Sequence, residues 1–250
     1  MSFNLYSKYY DLLYSDKDYS AESDYIISIL ENNSDFKNQK ILELGGGSGN
    51  HAFYLSKFYD QICGVELSTS MVDIALRRNI LNYQVKQGDI CYNHYPDKKF
   101  DCAVSLFHVI SYLNTNEQLI DCFTSVNEQL NSGGVFLFDV WYTPAVYYLK
   151  PETRIKKNED NEVSVTRIAQ STIDYEKSIV KVNYNIFIEE KKNNILTKFE
   201  ETHKMRHFTL NEINLFAKTC GFELLTSEEF LTKKTPSNET WGVMFLLKKK

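Results

Sequence analysis

The chain has 250 residues and a net charge of −5, enough length for one domain with a substantial core and an inserted lobe. The acidic balance argues against a nucleic-acid partner, which favours a basic face, and no apolar run approaches the length of a membrane span. Five scattered cysteines (Cys63, Cys91, Cys102, Cys122, Cys220) contain no C-x-x-C pair, so buried free thiols in a reducing compartment, the cytoplasm, are expected.

Residues 1–20 are rich in tyrosine, including Tyr9, Tyr10, Tyr14 and Tyr19. Ser20 is expected to cap a helix, because Ala21, Tyr25, Ile26, Ile29 and Leu30 follow helical spacing as far as Asn32-Asn33-Ser34. The next run, Ile41-Leu42-Glu43-Leu44-Gly45-Gly46-Gly47-Ser48-Gly49-Asn50, is a short apolar strand carrying an acid, then spaced glycines, then a helix. Glycine lets a ligand lie against the main chain, and the helix start offers unpaired N–H groups. A dinucleotide loop needs G-x-G-x-x-G, and position 50 is Asn; a phosphate-cradling P-loop needs a Lys that is absent here. Glu43 suits a cationic ligand better than a pyrophosphate.

Strand and helix then alternate. Strand 40–44 leads to a helix over 49–59, and strand 62–66 to a helix over 69–79. A strand near 83–86 and another over 100–105 follow, then a helix near 115–130, stopped by Asn131-Ser132-Gly133-Gly134, and a strand over 135–140. Beyond Trp141, β-branched alternating runs at 163–168, 179–188 and 195–208 predict a three-stranded antiparallel insert within 150–208. A helix over 210–219, ended by Gly221, and strands near 222–226 and 241–247 complete the chain. The expected fold is α/β: a Rossmann-like, seven-stranded, mostly parallel sheet with helices on both faces, plus the antiparallel insert, in one domain over 1–250.

Two further acids close successive strands. Glu66 ends Gly64-Val65-Glu66-Leu67-Ser68, where a carboxylate can accept both ribose hydroxyls or simply cap the next helix. Asp89 follows Gly88 and can accept from an adenine amino group. Open α/β sheets bind ligands along this edge.

Together, ELGGGSG, GVELS and QGDI resemble the motifs of class I S-adenosylmethionine-dependent methyltransferases. The resemblance implies that Glu43, Gly45, Gly46 and Gly47 hold the methionyl end of S-adenosylmethionine, Glu66 the ribose and Asp89 the adenine. It adds Tyr19, Leu67, Ile90 and Leu106 to that cofactor set. Tyr10-Asp11-Leu12-Leu13-Tyr14, Ser105-Leu106-Phe107 with Ser111-Tyr112-Leu113, and Glu201-Thr202-His203-Lys204-Met205-Arg206 are similar to segments of nucleotide-sugar N,N-dimethyltransferases. Those enzymes methylate the amine of a dTDP-linked amino sugar, and by that resemblance the segment 1–20 folds over the cofactor as a lid. Asp139-Val140-Trp141-Tyr142-Thr143-Pro144 stands where macrolide-sugar enzymes carry a Glu-Pro-Trp-Trp-type run, so the acceptor surface is expected to differ there.

Tyr14, His108 and Tyr112 are the candidates for orienting the acceptor or relaying its proton, His108 having the most suitable ordinary pKa. Trp141, Tyr142, Arg167, Arg206 and Trp241 are the candidate acceptor-binding residues, the arginines because their forked donors suit a pyrophosphate. His203 and His207 would stand about 13 Å apart in a strand, too far for one ion, so no metal is expected. The expected partner is a small-molecule acceptor, a nucleotide-linked sugar, with no nucleic acid and no membrane, and a homodimer is a candidate assembly. A sugar hydroxyl or another metabolite is the alternative acceptor; a non-catalytic cofactor-binding protein is the alternative from another class.

Overall fold

The computed structural model describes residues 4–34 and 39–250. Five parallel strands build the centre: β1 (Lys40–Leu44), β2 (Gln61–Glu66), β3 (Tyr83–Gln87), β4 (Phe100–Ser105) and β5 (Leu130–Tyr142), in the order β3-β2-β1-β4-β5. β11 (Gly242–Lys249) pairs antiparallel with β5, and β10 (Phe222–Glu229) pairs antiparallel with β11. These seven strands are the expected mostly parallel sheet. Apolar side chains fill both faces: Leu42, Phe100, Phe123, Phe136 and Phe138 on one, Ile26, Leu30, Ile41, Val104 and Leu137 on the other. Such two-sided burial is why these strands read as near-continuous apolar runs.

Helices α2 (Tyr19–Asn33), α3 (Asn50–Leu55), α4 (Thr69–Arg77), α5 (Asn116–Gln129) and α7 (Leu210–Thr219) lie among them. Asp18, not Ser20, caps α2, its carboxylate accepting from the Ala21 N–H at 2.9 Å. A carboxylate one turn ahead satisfies a free helix N–H as well as a hydroxyl does. α3 is shorter than expected. The glycines at 133 and 134 do not interrupt β5, which begins at Leu130; Gly133 takes φ +76° and the ladder with β4 shifts register between Phe100 and Cys102. A bulge of this kind absorbs glycine without ending the strand. A short helix, α6 (Thr143–Leu149), opens on Pro144.

The insert holds four strands rather than three: β6 (Arg154–Glu159), β7 (Val163–Asp174), β8 (Ile179–Glu190) and β9 (Ile195–Phe208), all antiparallel neighbours. β6 is an edge strand of sequence RIKKNE, and charge on an edge blunts further pairing. β9 joins β5 only at Trp141–His207 and Tyr142–Phe208, beyond the end of β4. The insert therefore springs from the C-terminal tip of β5, on the edge where open α/β sheets bind ligands.

Of the expected lid over 1–20, residues 1–3 lie outside the described residues. Helix α1 (Asn4–Leu13) spans from the glycine loop to the insert. Asp11 accepts from Ser48 Oγ at 2.6 Å and Asn50 Nδ2 at 3.0 Å, and its second oxygen pairs with Arg78 at 2.6 Å. On the other side, Tyr9 and Leu13 pack with Val165, Ile186 and Ile188 of the insert.

Candidate active site

Beneath α1 lies a cavity of about 380 Å³, walled by the glycine loop, the tips of β2, β4 and β5, and the insert. Twelve of the candidate residues line it: Tyr14, Tyr19, Gly45, Gly46, Gly47, Glu66, Leu106, His108, Tyr112, Trp141, Arg167 and Trp241.

The glycine loop is shaped by contacts around it. Gly45 has φ +72°, and a methyl group there would stand 2.5 Å from Cγ2 of Val109. Gly45→Ala combines a left-handed backbone with this overlap, and a loss of about 3 kcal/mol of stability is expected in urea unfolding. Gly47 (φ +56°) lines the cavity with nothing within 4 Å of where a methyl group would project, so the main chain itself faces the ligand space. Glu66 holds the loop from below: Oε2 accepts from the Gly47 N–H at 3.0 Å and Oε1 from the Ser68 N–H at 2.8 Å. A carboxylate has about four lone-pair sites. Main-chain N–H groups at positions 47, 67 and 68 take part of this capacity, and the remainder is open to a hydroxyl. The side-chain cap of α4 comes from Ser68 and not from Glu66, which steadies the Ser68 main chain.

Glu43 is almost fully buried behind Gly46, off the cavity wall. A methyl group at Gly46 would lie 2.5 Å from its Oε2 and 2.6 Å from the Tyr83 hydroxyl. Oε2 has no aligned hydrogen-bond partner. Burial pushes the carboxyl up to about 7; the neighbouring Tyr83 hydroxyl pulls it back, and the charge of Glu66 adds to the rise. Gly46 stands between this carboxyl and the cavity, so Glu43 acts on the ligand space through the loop and its charge. Without donor, the unfolded chain loses this proton near 4.5 and the folded chain near 7, so the unfolded state binds fewer protons between those values. Stability should fall by about 3 kcal/mol as pH rises through that window. Glu43→Gln should flatten this fall in melting curves taken from pH 5 to 8 without donor.

Asp89, Leu67 and Ile90 lie outside the cavity lining. Asp89 continues from β3, whose last residue, Gln87, is paired with Glu66, and its Oδ1 accepts from the Cys91 N–H at 2.9 Å. Leu67 stands exposed beside them.

Away from the glycine loop the cavity wall is mainly aromatic, with Arg154 and Arg167 of the insert among its lining. Phe107 and His108 both take left-handed backbone at the tip of β4, φ 64° and 63°, a strained arrangement for such residues. It is held by Asp139 of β5, fully buried, whose Oδ1 accepts from the His108 N–H at 3.1 Å. Oδ2 lies 2.6 Å from His108 Nδ1. Burial would raise the Asp139 carboxyl, but the adjoining imidazole outweighs it and keeps the group below its usual range. Asp139 was visible in the sequence only as a departure from a family pattern. Its pairing joins residues 31 positions apart.

Trp141 and Trp241 meet edge to face with centroids 5.4 Å apart, and Trp141 also meets His108 at 6.1 Å. Tyr112 and His203 are joined by a 2.7 Å hydrogen bond. Arg167 donates to the Tyr14 hydroxyl at 2.7 Å, and its guanidinium lies 5.3 Å over the Tyr14 ring and 4.8 Å over that of Tyr184. Arg154 also lines the cavity, and Lys156 stands 5.1 Å over Tyr14. Register places Lys156 opposite Arg167 and Arg154 opposite Ala169, so all three cations share one face of the insert.

Two candidates for the acceptor face another way. Tyr142 alternates with Trp141 along β5, so it turns into the core instead of the cavity. Arg206 packs over Phe208 at 5.1 Å and donates to Asn116 at 2.9 Å, away from the cavity. His203 and His207 diverge as well: His203 joins Tyr112, while His207 Nδ1 meets Thr143 Oγ1 at 2.9 Å, and burial takes its pKa down to about 4.

Known proteins share this fold and part of this sequence. A family model described as a methyltransferase domain matches residues 41–134, which hold the glycine loop, Glu66 and Asp89. The chain is 26% identical over 212 residues to a putative methyltransferase, YqeM, of Bacillus subtilis, covering 84% of each. It is 31% identical over 140 residues to the dTDP-3-amino-3,4,6-trideoxy-alpha-D-glucopyranose N,N-dimethyltransferase of Streptomyces venezuelae, covering 55% of this chain and 58% of that one. Among solved structures, an S-adenosylmethionine-dependent methyltransferase from Clostridium acetobutylicum superposes with a TM-score of 0.81 at 24% identity, over 98% of this chain and 99% of the other. Streptomyces venezuelae DesVI superposes with a TM-score of 0.83 at 21% identity, over 98% of each chain.

Proposed function

We propose an acceptor for what is an S-adenosylmethionine-dependent methyltransferase: the amine of a nucleotide-linked amino sugar. One observation carries the reading. The cavity lining joins the glycine loop to aromatic faces and then to Arg167 and Arg154 of the insert; Lys156, paired with Asp16, shares that face of the insert. Aromatic faces suit a sugar ring and a cationic sulfonium or ammonium. Paired arginines suit a pyrophosphate. A nucleotide-linked amino sugar presents these groups in that order. Relatives named as N,N-dimethyltransferases of dTDP-linked amino sugars support the same class.

In this reading Glu66 and Asp89 hold the adenosine, with Leu67 and Ile90 against the base, and the main chain at Gly45–Gly47 with Glu43 holds the methionyl end. The bound donor supplies an electrophilic methyl whose leaving group is a neutral thioether. The chain's own task is orientation, which can contribute roughly 7–11 kcal/mol to rate. Tyr14, fixed by Arg167, and His108, fixed by Asp139, position the acceptor; Trp141 and Trp241 exclude water.

The His108–Asp139 pair favours a second reading, a sugar hydroxyl as acceptor, because a hydroxyl needs a stronger base. A panel of dTDP-, UDP- and GDP-linked amino sugars with isotope-labelled donor, read by mass spectrometry, separates the two. Label on the amine of a dTDP-linked sugar is expected. Label on alcohols alone would refute the amine reading.

A further inference from the structure

Tyr112 and His203 share the cavity wall, yet one belongs to the turn after β4 and the other to the insert, 91 positions away. The Tyr112 hydroxyl meets His203 Nδ1 at 2.7 Å. On the far side of the ring, Nε2 lies 3.3 Å from Oε2 of Glu201. The His203 side chain is 4% exposed and that of Glu201 11%, so Glu201 is the more open end of the pair. A line of exchangeable groups therefore runs from the cavity, through one imidazole, to the surface of the insert. His108 and Asp139 offer no such exit, since Asp139 is enclosed.

We propose that Tyr112, His203 and Glu201 form a relay that carries the proton of the acceptor ammonium out of the cavity. The inference rests on the amine reading above. The acceptor R–NH3+ gives a proton to the Tyr112 oxygen as the Tyr112 proton passes to Nδ1 of His203. The Nε2 proton of His203 moves to the Glu201 carboxylate and on to water. The amine, now neutral, forms its N–C bond to the donor methyl while the C–S bond breaks and sulfur keeps the electron pair. One proton leaves for each methyl added, and His203 must return to its Nε2–H tautomer before the relay serves the secondary ammonium. Tyr112 and His203 face the acceptor; Glu201 acts through His203 as a positioning residue.

The groups facing His203 are Tyr112 from the turn after β4, Tyr184 from β8 with its ring 4.8 Å away, and Glu201 from β9. Arg167 of β7 lies over Tyr184, and Tyr14 of α1 and Glu66 of β2 act on Tyr112 by charge. Removing Arg167 or Tyr14 would disturb the same pH profile, so the test acts on His203 and Glu201 themselves.

The test is steady-state methyl transfer from labelled S-adenosylmethionine to dTDP-3-amino-3,6-dideoxy-alpha-D-glucopyranose, the acceptor named for a relative. It runs from pH 6 to 10 with the full chain and its His203→Gln and Glu201→Gln variants. At pH 7, His203→Gln should lower kcat about 10²-fold, in line with loss of a positioned acid–base group. The deficit should shrink about tenfold per pH unit until the amine is itself deprotonated. Glu201→Gln should show the same pH shape with a smaller loss, and donor KM should stay within about twofold in both. If His203→Gln folds poorly, donor binding reveals it, and the Glu201→Gln profile then decides. Wild-type pH profiles in the variants would overturn the relay while leaving amine methylation standing. A wild-type chain that labels alcohols and no amine would overturn the amine reading, and the relay with it.

Discussion

Glu66→Ala combined with Asp89→Ala should weaken binding of S-adenosylhomocysteine at least about 10³-fold, measured by calorimetric titration. Glu66 lines the cavity while its carboxylate is held by main-chain N–H groups of Gly47 and Ser68, with acceptor capacity left toward the ligand space. Hydrogen bonds to a charged group contribute roughly 1.5–3 kcal/mol each, so a ribose hydroxyl on Glu66 and the adenine amino group on Asp89 together account for about 3–6 kcal/mol. Each 1.4 kcal/mol is tenfold in affinity. The Gly47 N–H loses its anchor at the same time, so the loop itself should loosen. Glu66→Ala alone should therefore be worse than Asp89→Ala alone, because Asp89 lies off the cavity lining. Undiminished affinity in the double variant would mean that these acids do not grip the donor.

His108→Ala should divide the two acceptor readings by size of effect. For an amine, the imidazole positions the acceptor, and misplacement of about 1 Å costs about 10²-fold, so kcat/KM should fall by about 10–100-fold. For a hydroxyl, the same imidazole is the base, and its loss should cost up to about 10⁴-fold. Asp139→Asn should follow His108→Ala in kind, because Asp139 contacts both the His108 N–H and Nδ1. Donor affinity should be nearly untouched in both. A loss toward the larger figure with an amine acceptor would put the proton on His108 and not on the insert.

The glycine-loop side of the cavity was legible in the sequence because its parts are local. Strand, glycines and acid sit within ten residues, and the same unit recurs at Glu66 and Asp89. Two-sided burial made β1, β2 and β4 plain as apolar runs. β6 escaped because RIKKNE is a solvent-facing edge strand with no apolar alternation to read. The start of β5 escaped because Gly133 and Gly134 read as a helix stop, although a bulge carries them. The acceptor half was legible in residue type but not in pairing. Tyr14, His108, Tyr112 and Arg167 stood out as chemistry. Their partners Asp139 and His203 are set by strand order and by the short β5–β9 junction, which local periodicity does not encode. Tyr142 and Arg206 show the converse: the right residue types, turned away from the cavity by strand alternation or by packing on Phe208.

In the proposed complex one cavity holds donor and acceptor together, with the insert gripping the acceptor's anionic end. The direct measurement is a calorimetric titration of a dTDP-linked amino sugar into the chain saturated with S-adenosylhomocysteine, repeated with Arg167→Ala. Binding to the loaded protein at one site per chain, weakened at least about tenfold by the substitution, is the predicted result. Displacement of S-adenosylhomocysteine by the sugar nucleotide, or equal binding in the Arg167→Ala variant, would contradict it.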